Sequence, residues 1–179
     1  MSKRRSSTKG LGPRRSSTKD LALHDYTFFI DADLSDSAFH TVLAEAGVRF
    51  EKHSDHFVEG TDDLVWLTKA GEHGWVVLSH NKKLRRNSAQ TERLMQYGLR
   101  AFMLIGDPRP NPPGQRSVFT LDLARNFVRT LPAVLRFLRR YEGPWIAKLY
   151  RPSQIEEGSE PRAGSIQMWL TLQKRLKER

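Results

Sequence analysis

Three short, almost wholly apolar runs constrain this chain more than any other feature: Tyr26–Ile30, Trp75–Leu78 and Ala101–Ile105. Each is too brief for a helix and rich in aromatic or branched side chains. A strand apolar on both faces must be covered on both, as in a parallel sheet flanked by helices. The intervening segments carry the helical period instead. Ser35 or Asp36 caps a helix through about Ala46, with Phe39, Val42, Leu43 and Ala46 at three- and four-residue spacing, and Gly47 stops it. Val48–Glu51 reads as a second strand, and Asp62 or Asp63 opens a helix with Leu64, Leu67 and Ala70 on one side. A further helix runs from about Ser88 to Tyr97.

The second half is less regular. Gly106–Arg116 holds four prolines and reads as a loop. Phe119–Tyr141 is a long amphipathic helix with Leu123, Phe127, Leu131, Leu135 and Leu138 on one stripe and a kink expected at Pro132. Trp145–Tyr150 is expected as the last, edge strand, Arg151–Gly164 as a loop, and Ser165–Arg179 as a short terminal helix. Strands alternating with helices predict an α/β protein with a mostly parallel sheet. The strands' C-terminal ends then share one rim, where such folds place their sites.

Composition excludes several chemistries. The 179 residues contain no cysteine, which removes disulfides, thiolate metal sites and cysteine nucleophiles. No apolar run approaches the ~20 residues needed to span a bilayer, and no apolar segment follows the basic start as in a secretory signal. The formal net charge is +10, but residues 1–19 alone hold seven Lys and Arg with no acid. That tail repeats Arg-Arg-Ser-Ser-Thr-Lys at Arg4–Lys9 and Arg14–Lys19 and has nothing to bury, so residues 1–24 read as a disordered basic tail. A polyanionic partner and a merely solubilising tail both fit it.

The acids fall on the predicted rim. Asp31 and Asp33 end the first strand, Asp62 and Asp63 start a helix, and Asn81 follows the third strand. Gathered carboxylates repel one another unless a cation neutralises them, and oxygen-only ligands suit Mg²⁺ or Mn²⁺. The basic residues Lys82, Lys83, Arg85 and Arg86 follow directly and could hold an anionic substrate, with His80 beside them as a phosphate contact or proton shuttle. The plainer alternatives are helix caps for Asp62 and Asp63, a turn for Asp33, and a solvated face for the basic run. Asp31 has fewer structural duties, because it ends a buried apolar strand. Glu92 could add a carboxylate, though a surface ion pair explains it as well. His53 and His56 read as loop packing in preference to a metal pair.

These motifs also occur in a familiar order. Asp31 after Phe28-Phe29-Ile30, then Asp55-His56-Phe57, Asp63-Leu64-Val65-Trp66-Leu67, Gly74-Trp75-Val76-Val77-Leu78 and Asn81-Lys82-Lys83-Leu84-Arg85, resemble the PIN-like domains of the VapC45 type, bacterial toxin–antitoxin toxins. Leu131-Pro132 and Gly143-Pro144-Trp145-Ile146-Ala147 are similar to that family too. The resemblance implies a three-layer α/β/α PIN-like domain over residues 25–150, with 151–179 as an extension. It implies a cytoplasmic, metal-dependent endoribonuclease acting on RNA, an antitoxin partner, no membrane association, and room for a homodimer. By position, Asp31 and Asp63 match the family's acids, whereas Asn81 stands where the pattern has Asp and Ser79 where it has Thr. The competing expectations are a pseudo-nuclease that binds nucleic acid or protein without cutting, and a basic-tailed binding module whose acids are caps.

Overall fold

A computed structural model describes residues 23–81, 83–106, 116–152 and 162–171. The basic tail (through residue 22), most of the proline-rich loop and residues 153–161 lie outside the described residues, as does the end of the chain beyond 171. In chain order the elements are β1 (Phe28–Ile30), a 3-10 turn (Ala32–Leu34), α1 (Ser37–Glu45), β2 (Phe50–Lys52), α2 (His53–His56), α3 (Asp63–Glu72), β3 (Val76–Ser79), α4 (Lys83–Arg86), α5 (Ser88–Gln96), β4 (Arg100–Ile105), α6 (Arg116–Arg140), β5 (Trp145–Tyr150) and β6 (Ser165–Thr171).

The strands form one sheet in the order β2-β1-β3-β4-β5-β6, with every pairing parallel except β5–β6. Strand alternation divides the core into two layers, one on each face of the sheet. Phe28, Ile30, Val76, Leu78, Phe102 and Leu104 pack with Phe39 and Leu43 of α1 and Phe127, Leu131 and Val134 of α6. Phe29, Val77, Ala101 and Met103 face the other way, against Trp66, Leu67 and Ala70 of α3 and Leu94 of α5. The expected three-layer α/β/α PIN-like architecture is therefore the observed one. Phe29 shows how tightly β1 is held: its ring stacks on Trp66 at 5.4 Å and on Trp75 at 5.5 Å, with Phe57 edge-on at 6.2 Å. Aromatic pairs in these geometries add about 0.5–1.5 kcal/mol each beyond the area they bury.

Three expectations are corrected. Ser165–Thr171 is not a helix but the antiparallel strand β6, so β5 is an interior strand and β6 the edge. The segment alternates polar and apolar residues with period two: Ser165, Gln167 and Thr171 against Ile166, Met168 and Leu170, a strand signal that its charged end obscures. Opposite the Ile146–Ala147 step the register shifts by one residue at Trp169, so Ile166 and Met168 join one core layer and Leu170 the other. His53 and His56 lie in the one-turn helix α2, not in a loop. Pro132 falls inside α6, where the sequence places it.

Candidate active site

Chain order and strand order part company at β1. From β1 the chain moves outward to β2, then crosses back over to β3 on the other side. The connections diverge there and leave a crevice at the strand ends, which is where open α/β sheets place their sites. Asp31 emerges from β1 and Ser79–Asn81 from β3 into this place, and α3 begins beside them.

Asp31 is 5% exposed. Its N–H continues the ladder to the Leu78 carbonyl at 3.0 Å, and its own carbonyl accepts from Leu34 N–H at 2.9 Å to start the 3-10 turn. The carboxylate itself makes no capping hydrogen bond, although the Ala32 and Asp33 amides are near enough to favour its charge. Its direct partner is the Ser79 hydroxyl, which donates to Oδ2 at 2.7 Å, while Ser79 Oγ accepts from Asn81 N–H at 2.9 Å. Burial pushes the Asp31 carboxyl up from 3.8 to about 6, opposed by the Ser79 hydrogen bond and reinforced by the negative charge of Asp63. A carboxylate in that condition lacks a sufficient counter-charge from the protein.

Asp63 sits in the first turn of α3, one residue after the cap. Trp66 Nε1–H donates to Oδ1 at 3.0 Å, and the amide of Gln90, at the start of α5, donates to Oδ2. Gln90 is 8% exposed, and its Oε1 is buried without a hydrogen-bond partner in the structure. Two donors therefore hold the Asp63 carboxylate, whose charge is felt by Asp31, and each oxygen keeps a further lone pair. Trp66 belongs to the Asp63–Leu67 motif and reaches Asp63 within one turn of α3, whereas Gln90 is not in any motif and only the packing of α5 on α3 reveals it.

The other candidates separate. Asp62 is exposed and caps α3 by accepting from Leu64 N–H at 2.7 Å, so the cap reading holds for it. Asp33 Oδ2 accepts from the His80 N–H at 3.0 Å and ties the 3-10 turn to the end of β3. His80 Nδ1 lies 2.8 Å from the Leu104 carbonyl, which can only accept, so Nδ1 carries a proton. Its ring meets Phe119 at 4.8 Å. Lys82 lies outside the described residues, Lys83 and Arg85 are placed by their backbone on α4, and Arg86 is exposed. Glu92 is exposed on α5. His53 is buried beside Phe29 and Phe57, burial lowering its pKa against the pull of Asp63, and His56 Nε2 pairs with Glu51 at 2.8 Å.

Among the described residues no group of three or more His, Cys, Asp or Glu could hold a metal. The donors present are the two carboxylates Asp31 and Asp63, with Asn81 joined to Asp31 through its backbone N–H to Ser79 Oγ. That oxygen-only set, with one carboxyl raised by burial and by its neighbour, fits a single hard divalent cation.

Residues 27–106, which contain every one of these groups, match the family model described as a PIN like domain. That similarity agrees with the PIN-like reading anticipated from the ordered motifs. The chain is 25% identical over 131 residues, 71% of this chain and 87% of the other, to the Mycobacterium tuberculosis protein provisionally named ribonuclease VapC45. No solved structure gives a significant match.

Proposed function

We propose that the protein is a divalent-metal-dependent endoribonuclease that hydrolyses RNA phosphodiesters at the β1–β3 crevice. The observation that carries this reading is Asp31: a buried acid ending an apolar strand, held by the Ser79 hydroxyl and raised to about 6 by burial and by the charge of Asp63. As a purely structural residue it would destabilise the fold at neutral pH. The name of its VapC45 relative supports RNA as the substrate and a toxin's role with an antitoxin partner, and RNA hydrolysis in turn fits a cytoplasmic protein. No helix among the described residues is long and apolar enough to cross a membrane.

In this reading Asp31 and Asp63 hold the cation, Mg²⁺ or Mn²⁺, and Asn81 contributes a neutral amide oxygen. When bound, such a cation would supply a lowered pKa for water and an offset for charge on the phosphate. The chain's own residues do the positioning. Trp66 and Gln90 fix Asp63, Ser79 fixes Asp31, and the Asp33–His80 contact closes the turn over the strand ends. In this reading His80 would contact the RNA beside the site, and the basic stretch that follows Asn81 in sequence would meet backbone phosphates.

One observation favours a second reading, a weakened nuclease that chiefly binds RNA or protein: the acids number two, and an amide stands at residue 81. Incubating purified protein with labelled RNA in Mg²⁺ or in EDTA separates the readings. Cleavage in Mg²⁺ that is lost in Asp31→Ala supports the nuclease. RNA binding without cleavage at any Mg²⁺ or Mn²⁺ concentration supports the second reading.

A further inference from the structure

α6 carries its charge on one side. Its core face is Leu123, Ala124, Phe127, Leu131, Val134 and Leu138, all buried. At 100° per residue the direction opposite that face is occupied by Arg125, Arg129, Arg136, Arg139 and Arg140, which fall within about 100° of one another. Arg125, Arg136, Arg139 and Arg140 are exposed and Arg129 half-buried. The stripe extends for about 22 Å at 1.5 Å per residue.

Nothing in the fold explains it. Among the described residues no carboxylate stands within ion-pair distance of any of these arginines; Asp122, the acid of this helix, pairs with Arg151 at 3.7 Å instead. The buried Nε of Arg129 has no hydrogen-bond partner. Like charges at i, i+4, as in Arg125–Arg129 and Arg136–Arg140, destabilise a helix by about 0.2–0.5 kcal/mol per pair. All the basic residues of α6 are arginine and none is lysine. Arginine is the side chain suited to bidentate phosphate contact.

We infer that the outer face of α6 is a docking track for the ribose-phosphate backbone of an RNA, separate from the cutting site. This inference rests on RNA being the substrate class. The helix runs from the rim where β4 ends, at Ile105, toward the opposite edge where β5 begins, at Trp145. An RNA bound at the crevice and extending beyond it would lie along this helix. The stripe offers no aromatic platform except Tyr141 at its end, whose ring lies 5.4 Å from the Arg140 guanidinium. It would therefore grip backbone without reading or stacking bases, and favour a helical stem over an unpaired strand.

The test uses the full chain in EDTA, where metal-dependent cleavage plays no part. Binding of a fluorescent RNA stem-loop is followed by anisotropy from 50 to 300 mM salt. The wild type is compared with Arg136→Gln/Arg139→Gln/Arg140→Gln and with the matching triple Lys variant. Removing three phosphate contacts should reduce the slope of log affinity against log salt by about 2–3 and weaken binding on the order of tenfold at 100 mM. The Lys variant, which keeps charge and helix propensity, should retain most of the slope. Equal slopes for wild type and the folded Gln variant overturn the assignment. If that variant then loses binding to poly-glutamate, the face belongs to an acidic protein. Since the readout is binding without metal, it distinguishes a failed track from a failed nuclease.

Discussion

Replacing Asp31 with Asn should make the metal-free protein more stable at neutral pH and remove its activity. A carboxyl raised from 3.8 to about 6 binds its proton more tightly when folded, so ionisation works against folding. Below about pH 4 the group is protonated in both states and the penalty is absent. It grows as pH rises from 4 to 6 and is complete above that. A gap of roughly two pKa units at 1.36 kcal/mol per unit corresponds to about 3 kcal/mol. Asn keeps an acceptor for the Ser79 hydroxyl but adds an N–H₂ that needs a partner, which takes back about 1 kcal/mol. The expected net gain at pH 8 is therefore about 1–3 kcal/mol, shrinking to zero or below at pH 4. Urea unfolding of both proteins in EDTA at pH 4, 5, 6, 7 and 8 measures it. Saturating Mg²⁺ should reverse the order, because only the wild type is stabilised by an ion it binds when folded. An Asn variant less stable than wild type at pH 8, or a difference that does not change between pH 4 and pH 8, would refute the reasoning.

Further outcomes follow from the same contacts. Asn81→Asp should raise Mg²⁺ affinity and Mg²⁺-dependent RNA cleavage, and adding Asp31→Ala should abolish the gain, as seen in cleavage rates across an Mg²⁺ series. Gln90→Leu removes a donor from Asp63 and should cost about 1–2 kcal/mol in unfolding experiments while weakening Mg²⁺ binding. Deleting residues 1–19 should leave the melting temperature nearly unchanged and lower the salt dependence of RNA binding, because the segment holds seven Lys and Arg and no apolar face in its sequence.

The sheet was legible because its strands are buried on both faces. Phe28–Ile30, Val76–Ser79 and Arg100–Ile105 announce themselves as apolar runs bounded by polar residues, and Asp31 is conspicuous for ending one. β6 was not legible in the same way. Its outward positions are polar, its register shifts at Trp169, and the basic run after it suggests a helix end. At the site, a strand end and a helix start were enough to pair Asp31 with Asp63. The roles of Asp62 and Asp63 are set one residue apart by the first turn of α3, and only geometry shows which one caps and which acts by its charge on Asp31. Gln90 left no local signal, since its part depends on how α5 lies against α3, a contact between residues 27 positions apart.

The proposed function requires that Asp31 and Asp63 hold one divalent ion on which RNA cleavage depends. Mn²⁺ binding followed by electron paramagnetic resonance, in parallel with Mn²⁺-dependent cleavage of the same RNA, tests both halves on the same samples. A single Mn²⁺ per wild-type chain is expected, lost together with cleavage in Asp31→Asn and in Asp63→Asn, with the fold of each variant intact by circular dichroism. Cleavage that persists in either variant, or Mn²⁺ binding unaffected by both, would contradict it.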